Sequence, residues 1–253
     1  MNGNDFEERY ARQLVLPDFG KEKQQRLGKA SALLVGVGGL GSGIAPLLCA
    51  AGIGRLVMVD ADHVSVSNLQ RQILYRTPQK GLSKIQCATE SLRQLNPNTE
   101  IVGIGDFFSE KNALHLAQGC DIIVDGCDNA PARYLMNDLA VGLRLPFVYG
   151  SVCEFSGQVS VFNLTSNDCT YRCLFPQAPQ NAGVKGVMGP LPSLIASIEA
   201  NECIKVLTGY GQPLSNRLFC CNLTDTTTAC FALQPTQTGR QASLESFKRL
   251  SLK

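Results

Sequence analysis

Apolar residues recur along this chain in short blocks, and the spacing within and between those blocks predicts alternating strands and helices. Residues 5–12 and 21–28 scatter apolar positions among charges, the pattern of two short surface helices, with Pro17 and Gly20 between them. Ser31–Val35 is a compact apolar run that ends at a glycine cluster. Residues 40–51 then have helical character, and 56–60 form a second apolar run closed by Asp60. Strand, tight turn, helix and strand in about thirty residues is the length of a parallel β-α-β crossover.

The alternation continues downstream. Residues 82–95 predict a helix stopped by Asn96 and Pro97, Glu100–Ile104 a strand, 110–118 a helix, 121–125 a buried strand, Ala130–Leu143 a helix and 146–150 a strand. Residues 157–162 alternate in the manner of an antiparallel strand, and there the pattern changes. The stretch 163–189 has little periodicity and exceeds ordinary connections, which marks a functional or mobile crossover loop. In 191–207, Leu191, Leu194, Ile195, Ile198, Ile204 and Leu207 fall largely on one helical face, which should be buried. Two β-like runs, 217–223 and 227–233, precede a polar tail from Gln234 with one amphipathic turn over 244–250. The pattern is that of an α/β protein with parallel strands and no internal repeat.

Composition narrows the class. Hydrophobic residues make up 44% and charged ones 17%, which excludes a disordered chain. Net charge is +2 and the charges are scattered, so neither a nucleic-acid stripe nor a polybasic membrane segment is visible. No apolar stretch reaches membrane-spanning length, and the first dozen residues, with Asp5, Glu7 and Glu8, are unlike a signal peptide. The expected location is the cytoplasm. Eleven cysteines, an odd number that includes Cys49, Cys87, Cys120 and Cys203 in predicted strands and helices, read as buried hydrophobes in a reducing compartment rather than a disulfide framework.

Gly36-Val37-Gly38-Gly39-Leu40-Gly41 has the G-x-G-x-x-G spacing after a strand and before a helix, and Asp60 ends the next strand. Such a turn brings backbone amides against phosphate oxygens at a helix N-terminus, while Asp60 would accept hydrogen bonds from a ribose. By itself this indicates a nucleotide. A nicotinamide-dependent oxidoreductase would carry the same elements, and a turn used only for packing is the plainer alternative.

A second constellation favours ATP over NAD. Asn68-Leu69-Gln70-Arg71-Gln72 is followed by Lys84 at a helix start and by Asp128-Asn129 just after the strand ending at Asp125. Two cations suit a triphosphate, and a carboxylate at a strand's carboxyl end can hold Mg²⁺. Arg71 and Lys84 could equally be solvated helix charges, and Asp128 could be the N-cap of the helix that starts at Ala130.

Taken together, Arg9-Tyr10-x-Arg12-Gln13, Gly36 to Gly41, Ser67 to Gln72, Lys84, Asp125-Gly126-Cys127-Asp128-Asn129-x₃-Arg133 and Tyr171-Arg172-Cys173-Leu174 resemble the ThiF/MoeB/HesA family of ubiquitin-activating-type enzymes. The resemblance covers residue 5 to about 233, with its motifs in the family's order. It implies a Rossmann-like, doubly wound, mostly parallel sheet with an antiparallel C-terminal extension, in a homodimer. It also implies ATP-dependent adenylylation of the C-terminal glycine of a small ubiquitin-like sulfur carrier ending in Gly-Gly, ThiS-like for thiamine or MoaD-like for molybdopterin. A single adenylating domain would then comprise a helical arm (1–30), a nucleotide-binding half (31–150) and a carrier-binding half (151–253) that includes the crossover loop.

Residue by residue, the resemblance implies that Gly36, Gly38, Gly39 and Gly41 form the phosphate cradle and that Asp60 binds ribose. Asn68, Arg71, Gln72 and Lys84 would surround the triphosphate, and Asp128 would coordinate Mg²⁺. Arg12 matches an arginine that family members reach across the dimer, although it could be an ordinary surface residue. His63 and His115 lie outside the motifs and read as surface or core residues.

Two departures from the family's pattern bear on chemistry. Many relatives hold zinc with two Cys-x-x-Cys pairs, whereas here Cys169-x₃-Cys173 has altered spacing and only Cys220, Cys221 and Cys230 follow. Zinc is therefore not expected, and unligated thiols are the favoured reading. Residues 177–185 contain no cysteine for a thioester or persulfide step, which points to adenylylation alone, with sulfur supplied by another protein. A nucleotide-binding scaffold without turnover is the remaining alternative.

Overall fold

The computed structural model describes residues 3–177 and 186–252. Two helices, α1 (Gly3–Leu14) and α2 (Gly20–Leu27), precede β1 (Ser31–Val35), α3 (Gly41–Ala51) and β2 (Arg55–Val59). After two short 3₁₀ turns come α4 (Lys84–Leu95), β3 (Glu100–Ile104), α5 (Ala113–Leu116), β4 (Ile122–Asp125), α6 (Ala130–Leu143) and β5 (Phe147–Cys153). The remainder supplies β6 (Ser156–Phe162), α7 (Tyr171–Leu174), α8 (Pro190–Thr208), β7 (Arg217–Asn222), β8 (Thr227–Ala232) and α9 (Gln237–Ser251).

The strands form one sheet in the order β3-β2-β1-β4-β5-β6-β7-β8. From β3 to β5 the pairing is parallel, with Ala32 opposite both Leu56 and Ile122, and from β5 onward it is antiparallel. This is the expected doubly wound sheet with an antiparallel extension. All five residues of β1 are buried, because helices cover both faces. Ala32 and Leu34 pack with residues of α3, α4 and α8, while Leu33 and Val35 pack with those of α5, α6 and α9. The order reverses between β1 and β4, and open α/β sheets bind ligands outside the carboxyl ends of the strands at such a point.

Helix α8 does not bury the face its apolar spacing predicts. Leu191 and Ile195 are inside, but Leu194 is exposed and Ile198, Ile204 and Leu207 are only half-buried. The other buried residues of the helix are Pro192, Ala196, Glu199, Ala200, Glu202, Cys203 and Thr208. Close approach is the reason. A β-carbon on Gly43 of α3 would stand 2.7 Å from the Ala196 Cβ, so only small residues fit between the two helices.

Other differences are local. Helix α5 spans four residues rather than the predicted nine, because Asn112 accepts from the Ser109 amide (2.9 Å) and donates to the Phe107 carbonyl (2.9 Å), holding the chain in a turn. The crossover stretch contains α7, whose Tyr171 amide donates to Asn137 Oδ1 (2.8 Å) while Arg172 pairs with Asp138 (2.6 Å); residues 178–185 of that stretch lie outside the described residues. The polar tail is a 15-residue helix, α9, capped by Thr236 and laid over Gly142 of α6 through Phe247. No helix among the described residues is long and apolar enough to cross a membrane.

Candidate functional site

The turn between β1 and α3 is fixed from two sides. The Gly36 amide donates to the Val59 carbonyl (2.8 Å), and the Val37 amide donates to Asp60 Oδ2 (2.8 Å). From the other side the Tyr75 hydroxyl donates to the Val37 carbonyl (2.8 Å). Gly36 needs its positive φ of 89°, and a side chain on Gly41 would collide with the Gly36 carbonyl. The Gly36–Gly126 contact is equally tight, since a β-carbon on Gly36 would stand 2.7 Å from the Gly126 carbonyl oxygen. Gly36, Gly41 and Gly126 thus let the ends of β1 and β4 touch.

Gly38 and Gly39 face outward. Among the described residues the amides of Gly38, Gly39 and Leu40 donate to no group, which leaves a row of donors at the start of α3. A β-carbon on Gly38 would lie 3.6 Å from Gln72 Nε2, and one on Gly39 would lie 3.8 Å from Arg71 Nε. Both side chains are brought there by a tight coil in which the Asn68 carbonyl accepts the amides of Arg71 (3.0 Å) and Gln72 (2.9 Å). Arg71 is steadied by a bond from Nη1 to the Ser67 carbonyl (3.1 Å). Gln72 is buried, and its Oε1 has no partner. Such an orphaned acceptor fits a ligand that carries hydroxyl donors.

Asp60 and Lys84 belong to the same unit. Asp60 Oδ1 accepts the Asp62 amide (2.8 Å), and Lys84 Nζ donates to Asp62 Oδ2 (2.9 Å). Lys84 is nearly buried at the start of α4, not a solvated helix charge.

Across the crest, Arg133 of α6 clamps the end of β4. Its Nε donates to Asp125 Oδ2 (2.7 Å) and its Nη2 to the carbonyls of Cys127 (3.0 Å) and Gly150 (3.1 Å). Burial pushes the Asp125 carboxyl above its ordinary range, and Arg133 opposes that push. Beyond this clamp Asp128 is exposed and, among the described residues, has no hydrogen-bond partner. It is not the N-cap of α6. That position is taken by Asn129, whose Oδ1 accepts the Ala132 amide (2.9 Å).

The chain holds Arg12 apart from its own glycine turn. Its neighbours Tyr10 and Gln13 anchor α1 at the far end of α3, where Tyr10 covers Gly52 and Gln13 Nε2 donates to the Ala51 carbonyl (3.1 Å). A helix of eleven residues separates that end from the glycine turn, a span of about 16 Å. Arg12 itself is exposed.

The cysteine positions also have a definite environment. Among the described residues no three His, Cys, Asp or Glu side chains gather as metal ligands. Cys169 is buried, and burial pushes its thiol up to about 12. Cys173 sits where the Thr170 amide (3.3 Å), the Thr236 amide (3.4 Å) and the Thr236 hydroxyl (3.4 Å) converge on its sulfur. Burial raises the Cys173 thiol, but these donors outweigh it and hold it below the usual thiol value.

Sheet and turn define an α/β protein with a crest of free backbone amides at its switch point. The chain belongs to the ThiF family, whose model matches residues 10–242. It is 44% identical over 220 residues to the adenylyltransferase and sulfurtransferase MOCS3 of Drosophila yakuba, covering 85% of this chain and 48% of that protein. It is 43% identical over 221 residues to the sulfur carrier protein adenylyltransferase of Thermus thermophilus, covering 83% of this chain and 81% of that protein. The chain spans about half the length of the MOCS3 relatives it matches. The crystal structure of E. coli MccB superposes with a TM-score of 0.81 over 91% of this chain and 71% of that one, at 20% identity, a likeness of fold.

Asp62, Tyr75 and the Asp125–Arg133 pair make contacts that shape this site without a role that the sequence predicts. Asp125 and Arg133 stood in a recognised motif, and their eight-residue separation across a strand end and a helix start was the available signal. Asp62 and Tyr75 lie in irregular backbone and offered none.

Proposed function

We propose that this chain adenylylates the C-terminal glycine carboxylate of a small ubiquitin-like sulfur carrier, with ATP as substrate and pyrophosphate as product. The observation that carries the reading is the meeting of Arg71 and Gln72 with the Gly38-Gly39 turn at the switch point of the sheet. The family, and the activity named for the Thermus relative, support it. The carrier would be ThiS-like or MoaD-like.

In this reading the free amides at the start of α3 and the guanidinium of Arg71 receive the phosphates, and Asp60 retains lone pairs for a ribose hydroxyl. Lys84 adds a second cation. Asp128, exposed and without a hydrogen-bond partner among the described residues, would hold an Mg²⁺ ion through its carboxylate beside the substrate phosphates. Such an ion would neutralise charge on the phosphates. The carrier's carboxylate attacks the α-phosphorus in line and pyrophosphate leaves. A chain-terminal carboxyl has an unperturbed pKa of about 3.5, so no residue has to remove a proton. His63 and His115 are both exposed, and the reaction calls on neither as a base. Rate enhancement then rests on alignment and on cations that meet developing charge.

Arg12 cannot serve its own chain's crest, and we place it in a partner's site within a homodimer. With no cysteine between 177 and 185, sulfur would be delivered after adenylylation by another protein.

The test is ATP–pyrophosphate exchange with ThiS-like and MoaD-like carriers. Exchange that depends on the carrier's terminal Gly-Gly is expected, with Asp128→Ala abolishing it. Ordinary exchange in that variant would reject the Asp128 assignment, and stabilisation by NADH but not MgATP would reject the reading as a whole.

A further inference from the structure

Lys84 presents an unusual arrangement of charge. Its side chain is 4% exposed, whereas that of its partner Asp62 is 63% exposed. The buried member of the pair is the ammonium, so it bears the desolvation cost while the carboxylate remains in water. An ammonium carries three N–H donors, and Asp62 Oδ2 takes one of them at 2.9 Å. Among the described residues Lys84 Nζ has no other acceptor, so donors are left in a nearly dry pocket.

Asp62 is itself rigidly tied to the glycine turn. The Val37 amide donates to one oxygen of Asp60, and the Asp62 amide donates to the other, each at 2.8 Å. The Lys84 amide then donates to the Asp62 carbonyl at 3.0 Å. Next to it, Val64 exchanges two backbone hydrogen bonds with the loop before α4, to the Leu82 carbonyl and from the Gly81 amide, each at 2.9 Å. Main chain and side chain together make a short bridge from the phosphate-facing turn to the ammonium.

We propose that Asp62 is a positioning residue, one that holds the Lys84 ammonium at a fixed distance from the Gly38-Gly39 turn so that its remaining donors point at a polyphosphate. This rests on the nucleotidyl-transfer reading and deepens it. Asp62 touches neither phosphate nor carboxylate substrate. Its effect passes entirely through Lys84, and this separates it from a residue that merely supports the fold.

The experiment is a double-mutant cycle on MgATP affinity, measured by calorimetry on the full chain without any carrier. Lys84→Met should weaken binding by about tenfold. Asp62→Asn should weaken it by about fivefold in the native background and by less than about twofold in the Lys84→Met background, because the residue has nothing left to position. Asp62→Glu, which keeps the charge, should recover part of the loss. Equal weakening in both backgrounds, or no weakening in either, overturns the proposal while the nucleotide reading stands. Failure of the unmodified chain to bind MgATP removes both. Melting temperatures of all five proteins accompany the titrations, and affinity losses that follow a fall in melting temperature in both backgrounds also count against it.

Discussion

Glu199 lies directly against Gly150, its carboxyl in the space that a side chain on that glycine would need. The residue is fully buried, neither carboxyl oxygen has a hydrogen-bond partner, and Asp125 adds repulsion from nearby. Burial foremost, then Asp125, pushes the carboxyl well above its ordinary value, while Arg133 pulls it down by less. The folded chain therefore keeps a proton here that the unfolded chain gives up.

That sign fixes a pH dependence. The contribution to stability is complete below the ordinary glutamate range and is lost progressively as pH rises from there toward the raised folded value. Glu199→Gln removes the ionisation, so it should melt higher than the native chain at pH 8 and converge with it near pH 4. A gain of about 1 kcal/mol corresponds to roughly 2–4 °C for a domain of this size. Melting curves across that range check it, and a difference that does not change with pH would contradict it.

The glycines of the turn should separate by role. Gly41→Ala drives a methyl group into the Gly36 carbonyl and should prevent accumulation of folded protein. Gly38→Ala meets Gln72 Nε2 at an ordinary 3.6 Å and should fold, yet its methyl group projects toward the phosphate side. A loss of MgATP affinity of about tenfold or more, with a near-native melting temperature, is the expected result by calorimetry.

Placement of Arg12 at the far end of α3 predicts complementation. Arg12→Ala and Asp128→Ala should each be inactive in carrier-dependent exchange. Mixed and allowed to re-pair, half of the dimers would be hybrids with one intact site, giving roughly a quarter of native activity. Zero recovery despite demonstrated subunit exchange would return Arg12 to the surface.

The donors around Cys173 predict its reactivity. Alkylation by iodoacetamide, followed residue by residue by mass spectrometry, should show a midpoint for Cys173 below the usual thiol value. Thr236→Val deletes a hydroxyl that bonds the sulfur and caps α9, so the midpoint should rise and stability should fall by about 1 kcal/mol. An unmoved midpoint would show that the hydroxyl does not stabilise the thiolate.

What the sequence disclosed depended on how local the cause was. Ser31–Val35 was legible because a short apolar run, Ala32 to Val35, stops at a glycine cluster and is too short for a helix. Arg71 and Gln72 were legible because the coil from Asn68 that turns them toward the glycines is contained in five residues. Helix α8 was not, since its buried face is chosen by the clearance to Gly43 and Gly150, residues far away in sequence. Asp62 was hidden for a similar reason. Two residues beyond Asp60 in irregular backbone, it has no periodicity to announce it, and its partner lies on another element.

Gly36 and Gly126 meet at the ends of neighbouring strands, and Arg133 ties Cys127 beside them to Gly150 on the next. The floor of the cleft is consequently bare main chain. Peptide units have the same outline whatever residue bears them, so this surface leaves little scope for tuning by substitution. In the proposed reaction, discrimination between one acyl donor and another would be written on the rim, in side chains free to vary without disturbing that floor.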